Sequence, residues 1–275
     1  VEGTGAKAVR LGRLIEAGLP VLDGFVLRAS SVAGGRLEAN ARAAVLDAHA
    51  RLGATRVAVR SSGVNEDGAD KSYAGVFESI LDVELAGLAA AIEEVARSWK
   101  GARVDAYSSV EESGGIVVQA MVPAAWAGVV FTEHPGESGT SAIEMVEGLG
   151  DGLVAGREHP LGFRLGRASG RLLDERVPPI DLAPLTALAR SVEALFGAPQ
   201  DIEWAWTEGR FLLLQARDVT RFSRLGTGER ALRERERHRL LDILAGTPAD
   251  AAVLAQNELS ELLPEPTHLS LSLME

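Results

Sequence analysis

The sequence predicts an α+β protein whose sheets are mixed or antiparallel. Helical and strand patterns both recur along the chain, but they do not follow the regular strand–helix–strand alternation of a parallel sheet. Alternating apolar segments are instead joined by short turns that contain glycine, which is typical of hairpins. The chain has 275 residues, 46% of them hydrophobic and 24% charged, so it is long enough for one large domain or two modest ones.

The first half of the chain combines short helices with strands. A Gly-rich turn leads into the apolar residues Val9, Leu11, Leu14 and Ile15, whose positions fit a short helix. Strand patterning appears at Val57 and Val59, which are separated by one residue. The expected elements are a helix at 7–17, a strand at 21–27, a helix at 36–52, a strand at 55–60, a polar loop at 61–75, a strand at 76–83 and a helix at 85–100.

The second half is richer in strands. Residues 115–131 are the most apolar stretch, but Gln119, Pro123 and glycines interrupt it, so it does not fit a membrane-spanning helix. We interpret this stretch as two buried strands that pair across a turn at Pro123. The expected elements are strands at 116–122, 128–132 and 141–146, a hairpin at 163–174, a helix at 182–196, a hairpin at 202–219 and a charged helix at 221–239.

The charge balance limits the classes of partner. The chain has 28 Lys and Arg against 39 Asp and Glu, a net charge of −11, which disfavours non-specific binding to nucleic acid. It has no cysteine, which excludes disulfides and thiolate chemistry. We expect a cytoplasmic protein with neither a nucleic-acid nor a membrane partner. Because the chain begins with Val and ends without a closing signal, we also expect it to be a piece of a longer protein.

Two basic residues stand where phosphate-binding groups are often found. Lys7 follows the Gly-rich turn at the expected start of a helix, where backbone amides and an ammonium group can converge on a phosphate. Arg60 ends a Val-rich strand, and an arginine there can bind two phosphate oxygens. Taken alone, each has a simpler interpretation, namely a solvated surface lysine and an arginine in an ordinary ion pair.

The hairpin at 202–219 carries the candidate metal ligands. With a three-residue loop at 208–210, Thr207 faces Phe211 and Glu203 faces Gln215. The apolar face is then expected to consist of Ile202, Trp204, Trp206, Leu212, Leu214 and Ala216. A carboxylate and an amide whose Cβ atoms lie about 5 Å apart suit Mg²⁺, which prefers oxygen ligands and keeps phosphates in its coordination sphere. A polar cross-strand pair on a sheet surface is the alternative interpretation.

Nine short segments, taken in order over roughly residues 3–219, carry a family resemblance. They are Gly5-Ala6-Lys7-Ala8; Leu19-Pro20-Val21 with Gly24-Phe25-Val26; Val59-Arg60-Ser61-Ser62 followed by Glu66-Asp67; Tyr73-Ala74-Gly75 with Glu78-Ser79; Val118-Gln119-Ala120-Met121-Val122; Gly128-Val129-Val130-Phe131-Thr132; Gly148-Leu149-Gly150; Asp201-Ile202-Glu203-Trp204; and Leu214-Gln215-Ala216-Arg217. Together they resemble the ATP-binding module of the family that contains pyruvate phosphate dikinase, phosphoenolpyruvate synthase and the rifampin phosphotransferases.

The resemblance implies an ATP-grasp-like fold, in which two α+β subdomains hold ATP in a cleft between them. We expect subdomains at 1–114 and 115–220, followed at 221–275 by a charged helix and a linker toward further domains. By position in the family pattern, the implied roles are phosphate binding for Lys7 and Arg60, a loop over the phosphates for Gly75 and Ser79, adenine binding for Gln119 and the backbone of Met121 and Val122, Mg²⁺ binding for Glu203 and Gln215, and contact with the transferred phosphoryl group for Arg217. Lys7, Arg60 and Arg217 are the catalytic candidates.

The family's reaction implies partners beyond this chain. In the family, ATP gives a phosphoryl group to a histidine on a mobile domain, leaving AMP and phosphate, and a third domain passes the group to its acceptor. We therefore expect Mg-ATP as the ligand, and a phosphocarrier histidine domain and an acceptor-binding domain as partners. Two alternatives stay open: a stand-alone ATP-grasp ligase that forms ADP, and an inactive nucleotide-binding module. The second is suggested by Asp218, an acid beside Arg217 where the family usually has proline.

Overall fold

The computed structural model describes residues 3–63, 79–103, 114–134, 137–149 and 160–219. The helices described there are α1 (Ala6–Glu16), α2 (Ala39–Leu52), α3 (Leu85–Arg103) and α4 (Ala183–Phe196), with a 3₁₀ turn at Ala29–Ser31. The strands are β1 (Gly24–Arg28), β2 (Val32–Ala33), β3 (Arg36–Leu37), β4 (Val57–Gly63), β5 (Ser79–Val83), β6 (Gly114–Ala120), β7 (Trp126–Phe131), β8 (Thr140–Glu147), β9 (Leu161–Gly166), β10 (Gln200–Thr207) and β11 (Arg210–Asp218). The predicted α+β class is confirmed.

The first sheet has four antiparallel strands in the order β1–β6–β4–β5. One of its faces packs with α2 and α3 in a core that contains the fully buried Val57, Val59, Ile116 and Val118. Because side chains alternate between the two faces of a strand, the opposite face carries the intervening residues. These are Ala58, Arg60 and Ser62 of β4 with Val117 and Gln119 of β6.

The second sheet has five antiparallel strands in the order β11–β10–β7–β8–β9. Helix α4 packs on one face, where Leu185 and Val192 join Ile202 and Trp204 in the core. The opposite face carries Glu203, and it is this polar face that matters for the candidate site. Strands β2 and β3 form a separate two-stranded ribbon.

Helix α1 and the segment after it join the two sheets. Ala8, Leu11 and Leu14 of α1 are buried in the core of the second sheet. The chain after the helix then lies along β11, where the N–H of Leu213 donates to the carbonyl oxygen of Pro20 at 2.7 Å. The start of the chain is therefore fixed to both sheets, although its strand β1 belongs to the first.

The pairing expected across Pro123 is wrong. Strand β6 lies between β1 and β4 in the first sheet, and β7 lies between β10 and β8 in the second. The unbroken apolar pattern correctly indicates central strands, but it does not identify their neighbours. The chain changes sheet between Ala120 and Trp126, so the division expected at residues 114 and 115 separates β6 from the sheet to which it pairs.

Other elements differ in detail from the expectation. Helix α2 begins at Ala39, because the residues before it form β3. The hairpin expected at 163–174 is present in reduced form, with β9 followed by an antiparallel bridge between Leu165 and Leu172. The charged helix expected at 221–239 lies outside the described residues. No helix in the described part of the chain has the length and apolar character that crossing a bilayer requires.

Candidate functional site

The start of α1 is pressed against the end of β4. Gly5 has φ 86° and ψ 165°, a conformation that only glycine adopts readily. A Cβ on this residue would lie 1.9 Å from the carbonyl oxygen of Ser62. One turn further on, the N–H of Ala8 donates to Oγ of Ser62 at 3.0 Å. This junction brings Lys7, at the first turn of α1, close to the strand that carries Arg60.

The β10–β11 hairpin places Glu203 directly opposite Gln215, as expected, but by a different route. Its turn has two residues, Glu208 and Gly209, both with left-handed φ values of 50° and 77°, which is typical of a type I′ turn. Thr207 consequently pairs with Arg210, so the expected three-residue loop is wrong. The register then shifts between Glu203 and Trp204. A β-bulge therefore restores the pairing that the shorter turn would have displaced.

The bulge also changes which residues of β11 face the core. Phe211 and Leu213 lie in the core together with Ala216, and the ring of Phe211 packs edge-on against Trp204 at a centroid distance of 5.3 Å. The expectation that Leu212 and Leu214 share the face of Trp204 is therefore wrong, although Leu212 is itself buried. Ala216 returns to the core side because the extra residue at the bulge reverses the alternation along the strand.

Glu203, on the second sheet, forms an ion pair with Arg60 of the first sheet. Its Oε2 accepts a hydrogen bond from Nη1 of Arg60 at 3.0 Å, and the two side chains are only 23% and 14% exposed. Burial alone would raise the pKa of Glu203, but Arg60, then Lys7 and then Arg217, hold that pKa below its ordinary value. The structure thus places Arg60 and Gln215 next to the Glu203 carboxylate, with Lys7 and Arg217 near enough for their charges to lower its pKa.

Arg60 has a donor left over in this arrangement. Its Nε is buried and has no hydrogen-bond acceptor among the described residues. A buried donor without an acceptor is costly, and an arginine offers its nitrogens as a planar fork that matches phosphate oxygens. The Arg60–Glu203 pair therefore leaves one donor of the guanidinium group unsatisfied by the residues that the structure describes.

Arg217 and Asp218 have separate partners. Arg217 donates through Nε and Nη2 to Oδ2 of Asp201, both at 2.8 Å. Asp218 instead accepts from Arg10 at 2.8 Å and from Nε2 of Gln200 at 2.7 Å. Adjacent residues of a strand face opposite sides, so the Asp218 carboxylate is not directed at the site. This geometry removes the feature that suggested an inactive module.

Of the expected adenine-binding residues, Gln119 lies on the same face of the first sheet as Arg60. Gln119 is buried, pairs with Ala58 next to Arg60, and donates through Nε2 to the carbonyl oxygen of Leu22 at 3.4 Å. Both Met121 and Val122 follow β6. The N–H of Met121 donates to the carbonyl oxygen of Arg56 at 3.0 Å, so it is engaged within the protein.

The expected phosphate loop is only partly described. Ser79 begins β5 and pairs directly with Arg60 of the neighbouring strand β4, so the two residues lie on the same side of the sheet. Gly75 lies outside the described residues. The described part of the loop is therefore consistent with a position beside Arg60, and its contact with phosphates stays a prediction.

The chain can now be compared with known proteins. A family model described as the pyruvate phosphate dikinase AMP/ATP-binding domain matches residues 30–182, more than half of the chain. The chain belongs to this family. This chain is 31% identical to the prodigiosin synthesizing transferase PigC of Serratia marcescens, over 78% of this chain and 31% of that protein. It is 30% identical to a probable phosphoenolpyruvate synthase of Archaeoglobus fulgidus, over 75% of this chain and 33% of that protein.

Other similar proteins widen this picture. A rifampicin phosphotransferase of Streptomyces sp is 31% identical over 77% of this chain and 29% of that protein. The chain thus spans about a third of the length of these relatives. Among solved structures, a D-alanine–D-alanine ligase from Bacillus anthracis complexed with ATP is similar over 78% of this chain and 54% of that one, with 10% identity and a TM-score of 0.42. A RimK domain protein described as ATP-grasp, from Sphaerobacter thermophilus, is similar over 80% of this chain and 61% of that one, with 18% identity and a TM-score of 0.39.

Two acidic residues of the AMP/ATP-binding domain were missed as site residues. Asp201 is two positions from Glu203 on β10, and period-two alternation alone would have placed it on the same face. Glu144 pairs with Val129, which in turn pairs with Glu203, so all three share a row across the sheet. Burial and then the charge of Asp201 raise the pKa of Glu144. The residue as a whole is exposed, so solvent screens much of this effect.

A separate cavity lies on the other side of the second sheet. Its volume is about 790 Å³, and it is lined by residues of β7, β8 and α4, among them Val130, Ile143 and Ala189. Val130 and Ile143 are core-facing, so this cavity is not the place where Glu203 and Arg60 meet.

Proposed function

We propose that this domain binds Mg-ATP between its two sheets and takes part in transfer of a phosphoryl group to a histidine on a separate carrier domain, giving AMP and phosphate. The observation that carries the proposal is the convergence of Lys7, Arg60 and Arg217 on Glu203, with a buried donor of Arg60 still unpaired. A cluster of cations in a chain of net charge −11 favours a local anionic ligand.

The three cations would act by positioning and charge neutralisation. Phosphoryl transfer needs little covalent help from the protein, and fixed positive groups stabilise the charge that develops on the phosphate oxygens. Arg60 would offer its free Nε to a phosphate oxygen, Lys7 would approach from the first turn of α1, and Arg217 would contact the transferred group. Asp201 fixes the guanidinium plane of Arg217 through two hydrogen bonds, so this cation is oriented before the ligand arrives.

The pair Glu203 and Gln215 fits Mg²⁺. Both side chains offer oxygen ligands from adjacent positions of one sheet face, and Glu203 is held in its ionised form. No group of three or more His, Asp or Glu suited to a metal occurs among the described residues, so phosphate oxygens and water would complete the coordination. When bound, Mg²⁺ would neutralise phosphate charge.

Adenine recognition would fall to the segment after β6. The side chain of Gln119 is already directed at Leu22 and the N–H of Met121 at Arg56. We therefore assign the backbone donor toward adenine to Val122, with the carbonyl oxygen of Met121 as the neighbouring acceptor. Such a hinge would leave the phosphates pointing toward Arg60, two residues along β4 from the position opposite Gln119.

The test is the identity of the nucleotide product. The chain is mixed with the histidine carrier domain of its own protein and with ATP labelled at the α-phosphorus. The buffer contains Mg²⁺ and has the pH and ionic strength of the cytoplasm, where we expect the protein to work. Labelled AMP is the expected product, and Lys7→Met should abolish it. Arg51→Gln should not; it removes a cation that is 73% exposed and that, within the described part of the chain, forms an ion pair with its helix neighbour Asp47.

Two results would count against the proposal. Labelled ADP in place of AMP would favour a ligase or a simple kinase. Tight binding of ATP that is unchanged when Mg²⁺ is removed or when Glu203 is changed to Gln would show that Glu203 and Gln215 are not the metal ligands.

A further inference from the structure

A network on the far side of β11 ties α1 to this strand. Nε of Arg10 donates to the carbonyl oxygen of Ala216 at 2.8 Å, and Nη2 donates to Asp218 at 2.8 Å and also to Oε1 of Gln200. Its guanidinium carbon lies 3.8 Å from the centroid of the Phe196 ring, within the range of a cation–π contact. One arginine of α1 thus contacts β10, β11 and α4 at once.

The acceptors of Arg10 are themselves held in place. Gln200 is fully buried; its backbone N–H donates to Oγ1 of Thr132 at 2.8 Å, and its Nε2 donates to Asp218 at 2.7 Å. The Arg10 side chain is only 16% exposed. A partly buried arginine with fixed acceptors is a rigid anchor, unlike the exposed ion pairs whose contribution is small.

Lys7 is one turn before Arg10 on the same helix. Residues three apart lie on the same side of a helix. The contacts that fix Arg10 therefore also fix the orientation of α1, and with it the direction of the Lys7 side chain. Lys7 acts on Glu203, on the site face, whereas Arg10 reaches Asp218, on the opposite face. Helix α1 therefore lies beside the edge strand β11, with Lys7 directed toward the site face of the sheet and Arg10 toward the opposite face.

We propose that Arg10 is a positioning residue: through Ala216, Gln200 and Asp218 it holds helix α1, and with it Lys7, against the strand that carries Gln215 and Arg217. Asp218 then has a structural task on the face away from the site. The consequence for nucleotide binding rests on the proposed function, but the placement of Lys7 does not.

The first measurement needs no nucleotide. The chain has three lysines, Lys7, Lys71 and Lys100, so acetylation at low reagent concentration can be followed at each by mass spectrometry. Arg10→Gln should raise the labelling rate of Lys7 several-fold, with the other two lysines as internal references. The matched control is Arg13→Gln, because Arg13 also lies over Phe196 (4.7 Å) but donates to Leu195 of α4. It should leave the labelling of Lys7 unchanged.

The second measurement separates positioning from simple stability. Arg10→Gln should weaken binding of Mg-ATP about tenfold and leave adenosine binding unchanged, since Lys7 is assigned to the phosphates. In a Lys7→Met background the same substitution should have no further effect, because residues that act through one another are not additive. Arg10→Lys should restore part of the affinity.

The outcomes are distinguishable. Unchanged labelling of Lys7 in Arg10→Gln, or loss of ATP and adenosine binding by the same factor, would overturn the positioning role. Increased labelling in a protein whose wild type binds no Mg-ATP would support the positioning role and would refute the proposed function instead.

Discussion

Gly5→Ala should be far more damaging than its size suggests. The added Cβ would lie 1.9 Å from the carbonyl oxygen of Ser62 and 2.4 Å from its carbonyl carbon, so backbone has to move against backbone. Gly5 also has a φ of 86° with ψ 165°, a region that alanine rarely adopts. Both effects act at the junction that sets Lys7 beside Arg60.

Three contributions set the magnitude. The unfavourable backbone conformation costs about 1–3 kcal/mol. Displacing packed atoms costs a further ~1–3 kcal/mol. Moving the start of α1 away from β4 breaks the hydrogen bond from Ala8 to Ser62, worth about 0.5–1.5 kcal/mol. A loss of about 3–7 kcal/mol is a large part of the ~5–15 kcal/mol that stabilises a typical domain.

Gly3→Ala is the matched control. Gly3 also has a left-handed φ, 79°, but a Cβ there would meet nothing within 4 Å among the described residues, so it carries the conformational cost alone. Urea denaturation of both variants measures the difference. Titration of each folded variant with Mg-ATP, in the absence of urea, measures the effect on the affinity of the site. If Gly5→Ala were no more destabilising than Gly3→Ala, the close contact with Ser62 would not exist.

Two further predictions concern pH. The folded state lowers the pKa of Glu203, so its ion pairs stabilise the protein above the pKa of the unfolded chain, and that stability is lost as pH falls through the lower folded value. Denaturation curves of Glu203→Gln should therefore lack part of the acid-dependent loss seen in the wild type, and parallel curves would contradict the assignment. The pKa of Glu144 is raised, so the sign reverses: stability falls as pH rises from the unfolded value through the folded one. Glu144→Gln should remove this small decline, and Glu147→Gln, at an exposed position at the end of the same strand, should not. Equal effects of the two substitutions would refute the raised pKa of Glu144.

The hairpin shows what a sequence pattern can and cannot predict. Pairing of Glu203 with Gln215 was predicted from one loop length and is achieved by a shorter turn and a bulge, two differences that cancel. The core residues Phe211, Leu213 and Ala216 break period-two spacing at the bulge, but the sequence does not indicate this, because residues 211–214 are all apolar. Local periodicity thus located the strands correctly, whereas the loop length was an assumption.

Strand neighbours were harder to predict than strands. The apolar patterns of β6 and β7 correctly indicated buried strands, but pairing depends on residues far away in the chain, such as Gly24 opposite Gln119 and Glu203 opposite Val129. For the site, the family resemblance indicated Lys7, Arg60 and Glu203 as functional residues, but it did not predict the contact between Arg60 and Glu203. The misjudged position of Asp218 was avoidable, since alternation along β11 places it on the other face from Arg217.

The candidate site depends on how the two sheets are held together. Arg60 comes from the first sheet and Glu203 from the second, so the ion pair between them requires both sheets to be in place. The sheets are joined near the site by the Gly5–Ser62 contact and by the Pro20–Leu213 hydrogen bond, and Arg10 fixes α1 to the second sheet from behind. Each joint is a backbone or partly buried contact, so it resists sliding better than exposed ion pairs do. If the site binds ATP as proposed, substitutions at these joints should weaken ATP binding although none of these residues is assigned to the ligand. The loss should be greater for ATP than for adenosine, because the proposed phosphate-binding cations depend on the alignment of the sheets and the proposed adenine-binding segment does not.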